Sequence, residues 1–115
     1  MQKKSGEDFD MTRLEAANSI EKLTEQLVSK YHPEKIILFG SAVRGSDAVN
    51  DIDLFIVKND VPHFGAERIQ QLYRLVVTDA AVDYIVYRPS EVAERLSMGD
   101  PFVMDIFEYG KVLYG

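Results

Sequence analysis

Two aspartates one residue apart, Asp51 and Asp53, stand at the head of the apolar run IDLFIV. Shortly before them a second apolar run, KIILF, closes on Gly40-Ser41. In an extended strand two residues advance the chain about 6.6 Å and return to the same face. Carboxylates so placed can bracket divalent ions about 3.5–4 Å apart, the spacing that two-metal phosphoryl chemistry uses. Phe55 and Val57 continue the face that carries the two acids, while Ile52, Leu54 and Ile56 occupy the other. The acids therefore open a face otherwise suited to a core. The chemistry this suggests is divalent-metal-dependent and acts on a nucleoside triphosphate.

Gly40-Ser41 supplies the complementary half. At a strand-to-helix turn a glycine takes positive φ and lets a ligand approach the backbone closely. The amides that follow, with the Ser41 hydroxyl, can hold a phosphate. A strand-ending turn with a serine helix cap has the same local sequence. No Gly-Lys-Ser/Thr follows, so this is not a Walker loop.

Asp83, near the start of VDYIVY, is the third acidic candidate. If that strand lies beside IDLFIV with entrances aligned, three carboxylates converge. At about 6 Å and an effective dielectric near 20, each like-charge pair costs roughly 3 kcal/mol. A sequence seldom keeps such a cluster without a cation, although a solvated aspartate at a strand start is the simpler alternative. Arg44 is the leading basic candidate, to touch a phosphate or to pair with Asp47. Lys58, Arg68, Arg74 and Arg88 read as solvated surface charges. His63 reads as a loop residue. Tyr84 and Tyr87 read as packing residues on opposite strand faces, not as a base-stacking platform.

The elements that must position these residues follow from periodicity. Residues 1–10 are polar and read as a flexible tail ahead of one domain over 11–115. Thr12 and Glu15 form a capping-box pattern. Leu14, Ala17, Ile20, Leu23, Leu27, Val28 and Tyr31 follow at helical spacing, and Pro33 stops the helix. Ile36–Phe39 reads as a strand buried on both faces, residues 44–50 as a turn, and Asp51–Val57 as the second strand. Ile69, Leu72, Tyr73 and Val76 mark a helix over roughly 64–77. Val82–Tyr87 is the third strand. Ser90 can cap a short helix, with Glu91 and Glu94 in its first turn. Asp100-Pro101 starts another that Gly110 ends, and Val112–Tyr114 is a last edge strand. The order is that of one α/β domain.

Composition narrows the function classes. A chain of 115 residues with 46% hydrophobic and 28% charged residues is one soluble domain. A net charge of −6 argues against broad nucleic-acid binding, which needs lysine and arginine to neutralise phosphates. With no cysteine and only two histidines, thiolate and histidine-rich zinc sites are excluded. No apolar run approaches the ~20 residues of a membrane span. The N-terminus does not resemble a secretory signal, so the cytoplasm is the expected location.

Taken together, Gly40-Ser41, Arg44-Gly45, Asp51-x-Asp53 in one strand and Asp83 in the next resemble the polymerase-β-like nucleotidyltransferase superfamily. The resemblance is closest to its minimal members, the MNT type, and runs from Leu14 to the terminal GKVLY. It implies an α/β (α+β) fold, a small mixed sheet with helices packed mainly on one side. It implies that Gly40 and Ser41 hold the triphosphate, with Arg44 as a further phosphate contact. Asp51 and Asp53 would bind magnesium, as a pair of ions. Asp83 would complete the metal site and help to activate an acceptor hydroxyl.

ATP or another NTP is the implied substrate, and transfer of AMP with release of pyrophosphate the implied reaction. Minimal members are typically encoded beside a HEPN-type helical partner, which some neutralise by attaching AMP to a tyrosine. A HEPN-type partner and an antitoxin role are therefore expected here. The chain's length suits that type better than antibiotic-modifying relatives, which carry an additional domain. Two positions depart from the pattern: Asn50 stands where many relatives have Ser, and Ala42 where many have Arg. Neither removes a carboxylate. A catalytically idle module that shields a partner is the competing reading, and transfer to a small molecule or an RNA end a third. The acceptor, the base preference and the oligomeric state, homo-oligomer included, stay open.

Overall fold

Three strongly apolar runs and one edge run form a mixed four-stranded sheet. The computed structural model describes residues 11–44 and 48–115. The expected tail over 1–10 lies outside the described residues, as do Gly45 and Asp47, so the pairing of Arg44 with Asp47 is not described. In chain order the elements are β1 (Met11–Thr12), α1 (Arg13–Gln26), β2 (Lys35–Phe39), α2 (Ser41–Arg44), β3 (Ala48–Val49) and β4 (Ile52–Val57). There follow α3 (Gly65–Leu75), β5 (Val82–Tyr87), α4 (Pro89–Ser97), α5 (Pro101–Tyr109) and β6 (Lys111–Tyr114).

The sheet order is β5-β4-β2-β6. β4 and β5 run parallel, which requires a crossover, and α3 provides it. β2 is antiparallel to both β4 and β6. This is the α/β class that the sequence implied. The strand alternation holds residue by residue. Ile36, Leu38, Ile52, Leu54 and Ile56 join Leu23, Leu27 and Tyr31 below α1, and Leu72 of α3, in the larger core. Ile37, Phe55 and Val57 face the other way, onto Val92 of α4 and Val103 and Ile106 of α5. The second face is thus covered as well, by two nine-residue helices. Tyr84 belongs to the first core and Tyr87 to the edge of the second, as packing residues.

Several local expectations need correction. The Thr12–Glu15 capping box forms, with hydrogen bonds of 2.9 and 3.1 Å. The buried stripe of α1, however, begins at Ala16, while Leu14 is 72% exposed and Ala17 is exposed too. Leu14 lies about 200° around the helix from Ala16, so the rotation that buries Ala16 and Leu23 turns Leu14 to solvent. The helix ends in a π-helical turn over Leu27–Tyr31, and His32 then takes a left-handed φ of 56° ahead of Pro33. Ala48–Val49, expected as part of a turn, pairs with Met11–Thr12 in a two-residue ribbon. Pairing across so many residues leaves no periodic trace in so short a segment. α4 starts at Pro89, not at a Ser90 cap; the Glu91 carboxylate accepts the Arg88 N–H at 2.7 Å.

The largest correction concerns Arg68. It is no surface charge but 3% exposed, the one buried charged side chain among the described residues. Its guanidinium donates to the carbonyls of Pro62 (2.6 Å), His63 (3.1 Å) and Val86 (2.9 Å). It also forms a two-pronged pair with Glu91 at 2.7 and 3.1 Å. A planar fork with five donors is suited to such a node, which joins α3, β5, α4 and the loop before α3. Among the described residues no helix is long and apolar enough to cross a membrane.

Replacing Arg68 by Met should cost roughly 2–4 kcal/mol in urea unfolding, because three carbonyls lose their donor. The hydrogen bond from Arg68 is the main reason that the Glu91 carboxyl is held below its ordinary pKa. A carboxyl with a lowered folded pKa stabilises the fold above its unfolded pKa and loses that contribution as pH falls through the folded value. Wild type should therefore lose stability below about pH 4.5 more steeply than Arg68→Met. Equal acid limbs in the two proteins would mean that the pair contributes nothing to the pH dependence.

Candidate active site

The register of β4 against its two neighbours builds the site. Asp53 lies opposite Phe39 on β2 and opposite Asp83 on β5. Ile52 pairs with Val82 in the same ladder, so the strand entrances are aligned as the acidic cluster requires. Asp53 and Asp83 then meet side chain to side chain. Burial pushes the Asp53 carboxyl above its ordinary pKa. The charges of Asp83 and Asp51 and a hydrogen bond with Asp83 push in the same direction, and the Arg44 charge opposes them. Like charges in contact disfavour the ionised form of Asp53, and a cation beside the two carboxylates would relieve that cost.

Gly40 closes the other side. Its φ is +80°, and a side chain there would run into Asp53 Oδ2. The glycine is thus needed by the acid beside it before any ligand is considered. Ser41 then begins α2, a single turn that ends at Arg44, with the Val43 N–H donating to the Gly40 carbonyl at 3.1 Å.

These residues share a cavity of about 500 Å³. Gly40, Ser41, Arg44, Asp51 and Asp53 all line it, so five of the six residues singled out from the sequence meet there. Asp83 flanks the cavity through Asp53 and is not part of its lining. Among the described residues no three acids or histidines are gathered closely enough to form a ready metal cage. Asp51 is exposed at the mouth, and Asp53 is turned onto Asp83. The donor set is nonetheless oxygen only, which suits magnesium. That ion is commonly held by one or two carboxylates, waters and substrate phosphates, with no complete protein cage. The mutual repulsion at Asp53 is what such a cation would relieve.

One wall was missed from the sequence. Phe102, Asp105 and Tyr109 of α5 line the same cavity. The side chain of Asp100 caps this helix by accepting from the Phe102 and Val103 amides at 2.9 and 3.3 Å. Burial of Val103 and Ile106 orients it, and the Phe102 ring meets Phe39 edge-on at 5.8 Å. Spacing at i, i+3 and i+7 marks one helix face, but nothing in the sequence says that this face looks onto β2. A second cavity of about 550 Å³ between α1 and β6 contains no aspartate and not Ser41. Its chemistry does not match.

A profile of the family "Polymerase beta, Nucleotidyltransferase" matches residues 21–115, which include every residue of this cavity. The chain belongs to this nucleotidyltransferase family. A crystal structure from Sulfolobus solfataricus, of a protein that carries a provisional nucleotidyltransferase assignment, shares the fold. It is 24% identical, with 81% of this chain and 82% of that chain covered and a TM-score of 0.54. No curated protein matches the chain. The nucleotidyltransferase therefore has its candidate acids at the strand register, and its candidate phosphate turn beside them.

Two outcomes are expected. Because the folded pKa of Asp53 is raised, ionising this group costs stability as pH rises through the window above the ordinary carboxylate pKa. Asp53→Asn should thus raise the melting temperature without metal at pH 8 and leave it nearly unchanged at pH 3. It should also remove the extra stabilisation by magnesium plus ATP; an identical magnesium response in both proteins would remove Asp53 as a ligand. At the turn, Gly40→Ala should destabilise by about 1–2 kcal/mol from left-handed strain. Its methyl group also displaces the Asp53 carboxylate. In folded protein it should weaken ATP binding more than Ser41→Ala, which deletes one hydroxyl worth about 1 kcal/mol. Unchanged ATP affinity in both variants by calorimetry would place the triphosphate elsewhere.

Proposed function

We propose that this nucleotidyltransferase moves AMP from ATP to a hydroxyl on a protein, a tyrosine of a HEPN-type partner, and so acts as an antitoxin. The observation that carries the chemical part is the position of Asp53. It stands between Asp83 and the Gly40 turn, where burial and then the two neighbouring acids disfavour its charge and a cation would favour it. Magnesium, held by Asp51, Asp53 and Asp83 with phosphate oxygens, would supply charge neutralisation and polarisation of the α-phosphate.

The chain's own groups do the rest. Gly40 leaves room for the triphosphate, and Ser41 and Arg44 orient it from one wall. The acceptor oxygen attacks the α-phosphorus, the bond to pyrophosphate breaks, and the acceptor proton passes to the Asp53–Asp83 pair. Catalysis rests on position and charge.

A protein acceptor is supported by the rim of the cavity. Phe102 is 49% and Tyr109 67% exposed, and both line the cavity from α5, more apolar surface than a small hydrophilic acceptor needs. The resemblance to minimal members supports the HEPN-type partner and its tyrosine.

The test is intact-mass measurement of the neighbouring gene's product after incubation with this chain, ATP and magnesium. The expected gain is one nucleoside monophosphate, about 329 Da for AMP, with little transfer when the chain is alone. Asp51→Ala with Asp53→Ala should abolish the gain and leave the complex intact. If the double variant still protects cells as well as wild type, neutralisation occurs by binding and the catalytic account of the biology fails.

A further inference from the structure

The second cavity has its own logic. Its volume is about 550 Å³, and it runs between α1 on one side and α2 and β6 on the other. Its floor is apolar, with Leu38, Val49 and Leu113. On the α1 wall stand Ala17 and Ile20, and Leu14 beside them is 72% exposed. Within this apolar strip Ile20 also packs against the main core, while Ala17 and Leu14 are exposed.

The charges on the same wall are ordered. Arg13 stands at the start of α1, and Glu21 and Glu25 two and three turns later. A helix with one basic and one acidic end on a single face complements itself when a copy packs against it in the opposite direction. With Ala17 level with its own counterpart, Arg13 of each copy lies level with Glu21 of the other. Parallel packing would instead set like charges side by side. The contact is isologous, as a twofold dimer requires. The small Ala17 side chain at the centre lets the helix axes approach, and antiparallel helix dipoles favour the same direction. We propose that a second copy of this chain docks here, α1 against α1 and antiparallel, about a twofold axis near Ala17.

Other features fit that occupant. Lys111 on the β6 wall offers the incoming acidic end a further cation. Ala42 and Val43 of α2 also line the groove, and Val43 lines the catalytic cavity as well. A docked copy therefore presses on α2 from behind the candidate phosphate turn. Exposed ion pairs contribute only about 0–1 kcal/mol each, so the apolar strip supplies affinity and the charges set direction. A helix of 14 residues is about 21 Å long and makes a small interface. Weak association, with monomer and dimer in concentration-dependent exchange, is what so small a contact supports.

Sedimentation velocity of the full chain from about 1 to 200 µM in 0.15 M salt tests this, the salt screening repulsion between two acidic copies. Wild type should shift from monomer to dimer across the range. Arg13→Glu should weaken the dimer at least about tenfold, and so should Glu21→Lys combined with Glu25→Lys. Both changes lie on exposed positions and should leave the circular dichroism spectrum unchanged. An equimolar mixture of the two variants should dimerise again, because the exchanged charges then meet opposite signs at both ends. Lys30→Glu, on the exposed extension of the helix and outside the groove, should dimerise like wild type. A wild-type monomer at about 200 µM overturns the proposal, as does binding of another protein without self-association. A dimer indifferent to both sets of substitutions, or a mixture that stays monomeric, also overturns it.

Discussion

Everything at the catalytic end depends on one constraint, the register that holds Asp53 against Asp83. A slip of one residue would turn Asp53 to the opposite face of the sheet. β4 resists that slip because both of its faces are buried: Ile52, Leu54 and Ile56 in one core, Phe55 and Val57 in the other. Five such side chains contribute about 1.5–3 kcal/mol each. The like-charge contact at the strand entrance costs roughly 3 kcal/mol at an effective dielectric near 20. The apolar contribution is several times larger, so the sheet can carry an electrostatically unfavourable pair at its rim. The repulsion is then available to be relieved by a cation.

The opposite ends of the same parallel strands are treated differently. There Arg68 satisfies the Val86 carbonyl and ties β5 to α4 through Glu91. An arginine buried so completely persists because its donors are matched by carbonyls and a carboxylate. One end of the β4–β5 pair is therefore stapled by complementary groups, while the other holds acids together. α5 belongs to the acidic end. It caps on Asp100, packs on the sheet through Val103 and Ile106, and brings Phe102, Asp105 and Tyr109 to the cavity.

The site also explains the economy of its motif. Gly40 is adjacent in space to Asp53, although 13 positions separate them in the chain. β2 and β4 are antiparallel neighbours with Phe39 opposite Asp53, so the residue after Phe39 must pass the carboxylate closely. A glycine with positive φ is what that passage permits. The candidate phosphate turn and the candidate metal acid are thus two parts of one packing problem.

Local pattern by itself determined the four strands of the main sheet and most helix boundaries, and it singled out the acids and the Gly40-Ser41 turn that meet at the cavity. Period-two alternation placed Asp53 on the Phe55 face, and the capping signals at Thr12 and Asp100 marked real helix starts. These features are set within a few residues, so the sequence displays them. Tertiary structure alone decided which distant groups meet. The pairing of Met11–Thr12 with Ala48–Val49, the burial of Arg68 and the arrival of α5 at the cavity each join segments far apart in the chain. The rotation of α1 that exposes Leu14 belongs with them, because both Leu14 and Ala16 are apolar and only the sheet selects between them. Periodicity reports which faces a segment has; what each face meets depends on where the other elements lie.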